Sequence, residues 1–317
     1  MGCGSSRAAR KSDNRVFFDG YIRDGTRRLR QLVHTNALET PYACKGGVAR
    51  FPLAAEQIDW SVEVPGYKPP EFTASFVLAM PPWADEPDVS HIRFNAFDPQ
   101  CRVDRSSFEG AYALVPASNR PLNPRGRTGL TGRGSLGRFG PNHAADPVIT
   151  TWQRNPDGTK SLDEAGNPIL QFVAIRRKDT GDWAIPGGMV DPGENVSLTL
   201  KREFGEETMA TMEMEPVERD RLMAELDSVF KRGVLVYSGY VDDIRNTDNA
   251  WIETTCVNFH DETGSSLSKF KLSAGDDAGD VAWTAYYEGM PLYATHTNLI
   301  STVHKMRLSW HRHVGGK

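Results

Sequence analysis

The amino-acid sequence predicts an α/β (α+β) architecture in which a larger mixed unit, residues 148–317, follows a smaller β-rich unit, residues 41–122. Three observations predict it. Val196, Leu200 and Phe204 recur at four-residue spacing, one apolar stripe of a helix that must lie against a core. Apolar runs of strand length at 169–177, 233–241, 251–260 and 281–287 interleave with that helix and with helical patterns at 216–231 and 295–311. Before Tyr112 prolines interrupt the chain and leave no helical pattern of any length, while 58–64 (IDWSVEV) alternates apolar and polar residues as a half-buried strand does.

Composition bounds the function classes. The 317 residues carry 37 Lys plus Arg against 41 Asp plus Glu, a formal charge of −4, so no basic excess points to nucleic acid. Cys3, Cys44, Cys101 and Cys256 stand far apart without metal-ligand spacing and read as isolated thiols of a reduced compartment. No apolar run approaches the roughly 18 residues of a membrane-spanning helix. The expectation is a cytoplasmic monomer, with the mitochondrion as the alternative compartment.

Residues 1–40 read as a flexible tail. Gly2 and Ser6 fit the myristoylation pattern, Cys3 beside them is a palmitoylation candidate, and Arg7, Arg10 and Lys11 follow. Two acyl chains, or one with a basic patch, give durable peripheral membrane attachment. An organellar transit segment and a plain disordered tail are the rival readings. A basic stretch at 26–38 predicts a short helix, turn residues at 41–51 open the first unit, and strands are expected at 58–64 and 72–80. Residues 123–147 interleave glycines with Arg125, Arg127, Arg133 and Arg138, and read either as a connecting segment or as a loop whose free N–H groups face a polyphosphate. That stretch lacks the Lys-Ser/Thr ending of a P-loop.

Strands at 148–152 and 169–177 then deliver the chain to a glycine turn at Gly187 and Gly188. After the stripe-bearing helix, 216–231 is a packing helix, and strands 233–241 and 251–260 flank the polar loop 242–251. Its Arg245 reads a ribose or phosphate, or the loop is a solvated turn. The closing helix carries His296, His304, His311 and His313, which lack metal-ligand spacing and are read as surface histidines.

The chemistry is concentrated on the helix after the glycine turn. Glu203 and Glu207 are four residues apart and Glu206 three from Glu203, so all three share one side of the helix, adjoining the apolar stripe. Partly buried acids that repel one another neutralise or find cations. A hard divalent ion, Mg²⁺ with Mn²⁺ as the alternative, takes carboxylates together with substrate phosphates. The competing reading is a solvated acidic helix with i,i+4 pairs such as Arg202 to Glu206.

Spacing favours the first reading. From Gly188, five residues lead to Glu194, seven more to Arg202, and then REFGEE. This resembles the Nudix signature at every fixed position but one, Met209 standing where a glycine is usual. Together with GRTGLTGRGSLGRFGPNHAADPVIT and GYVDDIRNTDNAW, it resembles the ADP-ribose pyrophosphatase branch of the Nudix superfamily, and also the ADP-ribose-sensing domain of melastatin-type TRP channels. The likeness runs from about Val48 to the C-terminus. It implies a Nudix α/β/α sandwich beside the N-terminal β-rich unit, with ADP-ribose between them, and Asp243 and Arg245 contacting the terminal ribose and its phosphate.

The activity so implied is hydrolysis of ADP-ribose to AMP and ribose 5-phosphate. Glu203, Glu206 and Glu207 hold the metal, Glu203 serving as ligand or as base; Arg202 orients a glutamate, Glu194 braces the loop, and Gly187 and Gly188 turn the backbone around the phosphates. In the channel-type sensor the REF triplet is degraded, whereas this chain keeps Arg202, Glu203 and Phe204. A binding module with little turnover, and a hydrolase for another dinucleotide such as NADH or a diadenosine polyphosphate, remain the alternatives.

Overall fold

The computed structural model describes residues 35–42, 47–178, 180–209, 215–265, 272–274 and 278–315. The acylation candidates Gly2 and Cys3, and most of the helix expected at 26–38, lie outside them; of that stretch only a 3₁₀ turn, Asn36–Leu38, is described.

The N-terminal unit contains β1 (Glu71–Thr73), α1 (Ser75–Leu78), β2 (Phe97–Asp98), β3 (Val103–Asp104) and β4 (Thr131–Gly134). Its β structure is in short pieces, β1 pairing with β4 in parallel and β2 with β3 antiparallel. Residues 58–64 are not the strand that their alternation predicts. The Arg127 guanidinium donates to the carbonyls of Gln57 at 2.9 Å, Asp59 at 2.6 Å and Val62 at 3.0 Å, and lies 4.7 Å from the centre of the Trp60 ring. Those carbonyls wrap an arginine, so no neighbouring strand takes them. The strand expected at 72–80 is also cut short, because after Thr73 the carbonyl of Ala74 accepts Val77 and Leu78 N–H groups and starts the turn of α1.

The second unit follows as β5 (Gly140–Trp152), β6 (Leu170–Arg177), β7 (Trp183–Ala184), β8 (Gly188–Met189), α2 (Val196–Met209), α3 (Pro216–Phe230), β9 (Val234–Val241), β10 (Ala250–Asp261), β11 (Ala278–Ala285) and α4 (His296–Gly315). Seven of these strands form one sheet in the order β11-β6-β5-β10-β9, with β7 beside β6 and β8 beside β5. The centre is the parallel pair β5 and β10, in register from Gly140 with Ala250 to Thr151 with Asp261. On one face Leu200 and Phe204 of α2 and Phe230 of α3 pack on Ala145, Ile149, Val173, Val257 and Phe259. On the other, Leu299, Ile300 and Val303 of α4 meet Val148, Trp152, Phe172 and Cys256. The architecture is therefore the α/β/α sandwich expected, and Met209, at the departing signature position, is a buried member of the α2 core.

Residues 140–147, expected within a connecting segment, instead begin the central strand, and the Gly/Arg-rich stretch before them is largely buried. Its arginines hold backbone: Arg133 donates to the carbonyls of Gly137 at 2.9 Å and of Asp85, while Arg125 pairs with Glu109 at 2.8 Å. Loop 242–251 is likewise no solvated turn. Asp242 accepts from the Thr35, Asn36 and Ala37 backbone, Asp248 from Tyr67 Oη and Thr128, and Asn249 from Gly132. This loop staples the N-terminal unit to the sheet.

The α4 histidines are mostly engaged too. His296 Nδ1 accepts the Ile185 N–H at 3.1 Å, His304 packs on Tyr286 and His311 on Trp152; His313 is exposed, as expected.

Candidate active site

The site is built where β8 turns into α2. Asn195 caps the helix, its Oδ1 accepting the Leu198 N–H at 3.0 Å, and this sets the angular position of every residue after it. With Leu200 and Phe204 in the core, Glu203 and Glu207 come to the margin of the apolar face, each 8% exposed, and Glu206 lies further toward solvent. A carboxylate on every turn of a half-buried helix needs a cationic or N–H partner.

Arg202 is the nearest. Its Nε and Nη2 meet the two Glu194 oxygens at 2.9 and 3.0 Å, its Nη1 meets Glu203 at 2.8 Å and Glu206 at 3.1 Å, and Nη2 also donates to the Met189 carbonyl at 3.2 Å. Thr199 Oγ1 donates to the same Glu194 at 2.8 Å. Glu207 accepts the Gly187 N–H at 2.8 Å. The glycine turn is a close approach: a Cβ on Gly188 would stand 2.3 Å from Glu203 Oε1, and one on Gly187 2.1 Å from Asp146 Oδ1. Any side chain at 188 would displace the glutamate.

Electrostatics separate these acids. Burial raises the Glu194 carboxyl, but the Arg202 and Thr199 hydrogen bonds outweigh it and hold the group below its ordinary range. For Glu203 burial wins: with Glu206 adding to it and Arg202 opposing, its carboxyl is pushed up to about 7. Arg202, bonded to Glu194 and surrounded by acids, is held charged.

Among the described residues no three acidic, histidine or cysteine side chains converge closely enough to enclose an ion: Arg202 Nη1 gathers Glu203 and Glu206, while Glu207 turns to the Gly187 N–H. The donor set still fits a divalent cation by chemistry. It is all carboxylate oxygen, suited to a hard ion, and Glu203, Glu206 and Glu194 together outnumber the single Arg202 guanidinium that they share.

Asp243 and Arg245 form a second group. Arg245 Nε and Nη2 meet the Asp243 oxygens at 2.7 and 2.9 Å, Tyr42 Oη donates to the Arg245 carbonyl at 2.9 Å, and Tyr293 Oη lies 3.5 Å from Asp243. Asp146 stands between the groups, against Gly187 and within the field of Arg245; burial pushes its carboxyl up to about 6 against a 2.5 Å hydrogen bond from Thr254. In the sequence Asp146 falls at the end of the 123–147 segment, just before the strand expected at 148–152, and carries no expected role. The available signal was a single acid inside the apolar run AADPVIT.

Two family models match the chain: the NUDT9-like, N-terminal domain over residues 53–140 and the NUDIX domain over residues 162–255. Over 292 residues the chain is 48% identical to an ADP-ribose pyrophosphatase, mitochondrial, of Rattus norvegicus, covering 90% of this chain and 82% of that protein. Over 282 residues it is 47% identical to the transient receptor potential cation channel subfamily M member-like 2 of Nematostella vectensis, covering 87% of this chain. The mouse subfamily M member 2 channel is 35% identical over 269 residues. The chain spans 18% of the length of the Nematostella protein and 17% of the mouse one.

Proposed function

The chain belongs to the Nudix family, and from that premise we propose that it is a hydrolase that splits the diphosphate of ADP-ribose into AMP and ribose 5-phosphate with Mg²⁺ bound, Mn²⁺ being the alternative ion. The observation that carries this reading is the Arg202 network, which gathers Glu194, Glu203 and Glu206 beside a glycine turn. Glu203, Glu206 and Glu207 hold the ion. When bound, it offsets charge developing on the phosphates and activates a water. Arg202 fixes the directions of Glu203 and Glu206, and Glu194 fixes Arg202. Gly187 and Gly188 let the backbone pass close to the diphosphate. Asp243 and Arg245 take the terminal ribose and its phosphate, Arg245 having about a third of its side chain open to solvent. In the balanced step a water oxygen bonds to one phosphorus, the bridging P–O bond breaks with the leaving phosphate keeping the bridging oxygen, and the water proton passes to a carboxylate of the site.

Incubation of the purified protein with ADP-ribose, NADH and a diadenosine polyphosphate, with products separated chromatographically, tests the assignment. AMP release from ADP-ribose at a rate well above that from the other two is expected. Binding without release supports instead the sensor reading that the channel relatives bring; the intact Arg202-Glu203-Phe204 triplet argues against it.

The rat relative's name supports the mitochondrial alternative for the compartment. No helix among the described residues is long and apolar enough to cross a membrane. Mass spectrometry of the mature N-terminus separates acylation at Gly2 and Cys3 from removal of a transit segment.

A further inference from the structure

The β2–β3 hairpin reaches out of the N-terminal unit and touches the loop that precedes α2 at a single glycine. Arg102 ends the hairpin turn in the left-handed region, φ +58°, as the last loop residue of a short hairpin often does. Its carbonyl accepts the Gly193 N–H at 2.9 Å. Its guanidinium lies on the bare Cα of Gly193, with Nη2 donating to the Gly193 carbonyl at 3.4 Å. A Cβ on Gly193, itself at φ +77°, would stand 2.3 Å from the guanidinium carbon. The same loop is held at Val190, whose carbonyl accepts from the nearly buried Arg138 at 3.3 Å and whose N–H donates to His143 at 2.8 Å. Next to Gly193 is Glu194, which holds Arg202, which in turn holds Glu203 and Glu206.

We propose that Arg102 is a positioning residue for the hydrolytic site: the hairpin latches loop 190–194 and so keeps Glu194 and Arg202 in the register that presents the α2 carboxylates to the ion. The proposal rests on the reading of α2 as the ion-binding helix. It makes the N-terminal unit part of the catalytic apparatus through one contact, with no substrate touching Arg102. The energetic link is short, since Gly193 and Glu194 are covalent neighbours, and a loop free to move by about 1 Å misplaces the carboxylates enough to cost up to about 100-fold in rate.

The test uses R102A, R102K and G193A in the full chain. Hydrogen exchange of residues 189–195 is followed first in metal-free protein. R102A is expected to speed exchange of this loop about tenfold without lowering the unfolding midpoint of the whole protein, G193A to speed it as much while lowering the midpoint through its own positive φ, and R102K to restore most of the protection. In turnover with ADP-ribose, R102A is expected to raise the half-saturating Mg²⁺ concentration several-fold and lower kcat about tenfold, with KM for ADP-ribose unchanged. Unchanged loop exchange in both R102A and G193A, or unchanged Mg²⁺ dependence with a lowered unfolding midpoint in R102A, would overturn the latch. Absence of turnover in the unsubstituted protein would count against the hydrolase reading, and the exchange arm would still decide whether the latch exists.

Discussion

Two stretches of this chain are dense in charge and glycine, and they do opposite things with it. In the Gly/Arg-rich stretch and in loop 242–251, the charged groups are answered mainly by backbone and neighbouring side chains: Arg127 by three carbonyls, Arg133 by two, Asp248 by Tyr67 and two donors on Thr128, although the buried Nε atoms of Arg127 and Arg133 take no hydrogen-bond partner among the described residues. On α2 the acids outnumber the cations beside them, and one of them is held near neutrality by burial. Charge answered by backbone builds structure, whereas acid left in excess at a half-buried margin is available to an ion or a substrate.

That contrast breaks if the two regions respond alike to substitution. The largest effect is expected at α2: E203Q removes one of the proposed ion-holding carboxylates and should lower kcat by about 10²–10³-fold while leaving the unfolding midpoint unchanged or raised, because a neutral group replaces a carboxyl disfavoured by burial. D248A should do the reverse. It strips the hydrogen bonds of Tyr67 and Thr128 and should cost about 3 kcal/mol in denaturant unfolding, with kcat unchanged in the folded fraction. A loss of activity in D248A larger than its loss of folded protein would place loop 242–251 in the chemistry as a whole.

A third expectation concerns the face opposite α2. Burial, with Arg177 adding to it, holds the His296 ring down to about 3, below its ordinary 6.5. The folded protein therefore refuses a proton that the unfolded chain accepts. The stability this contributes is complete above about pH 6.5 and is lost as the pH falls toward the folded value, about 2 kcal/mol of it by pH 5. H296Q should flatten that part of the stability profile; an unchanged slope between pH 7 and 5 removes His296 as its cause. The smallest effect separates Asp243 and Arg245 from the saturated loop around them: R245K, which loses the two-pronged contact with Asp243, should raise KM for ADP-ribose about tenfold with little change in kcat.

The sandwich and the α2 cluster were legible because they rest on local periodicity. Leu200 and Phe204 had to face a core, and that alone placed Glu203 and Glu207 at its margin. Residues 58–64 and 140–147 were misread because their partners are distant. Nothing near Ile58 announces that Arg127 will take its neighbours' carbonyls, and nothing in HAADP announces twelve residues of pairing with β10. Arg102 escaped notice for the same reason, since its contact with Gly193 spans 91 positions. Asp146 escaped because the strand that buries it starts at Gly140, upstream of the strand expected from Val148.

AMP release from ADP-ribose, followed in protein stripped with EDTA and then given Mg²⁺, with E203Q beside it, decides whether the α2 carboxylates work through a bound ion. No AMP is expected after stripping, full recovery on adding the ion, and no more than about 1% of that rate in E203Q. Release that persists in EDTA, or an E203Q protein that keeps pace with the unsubstituted one, would contradict that mechanism.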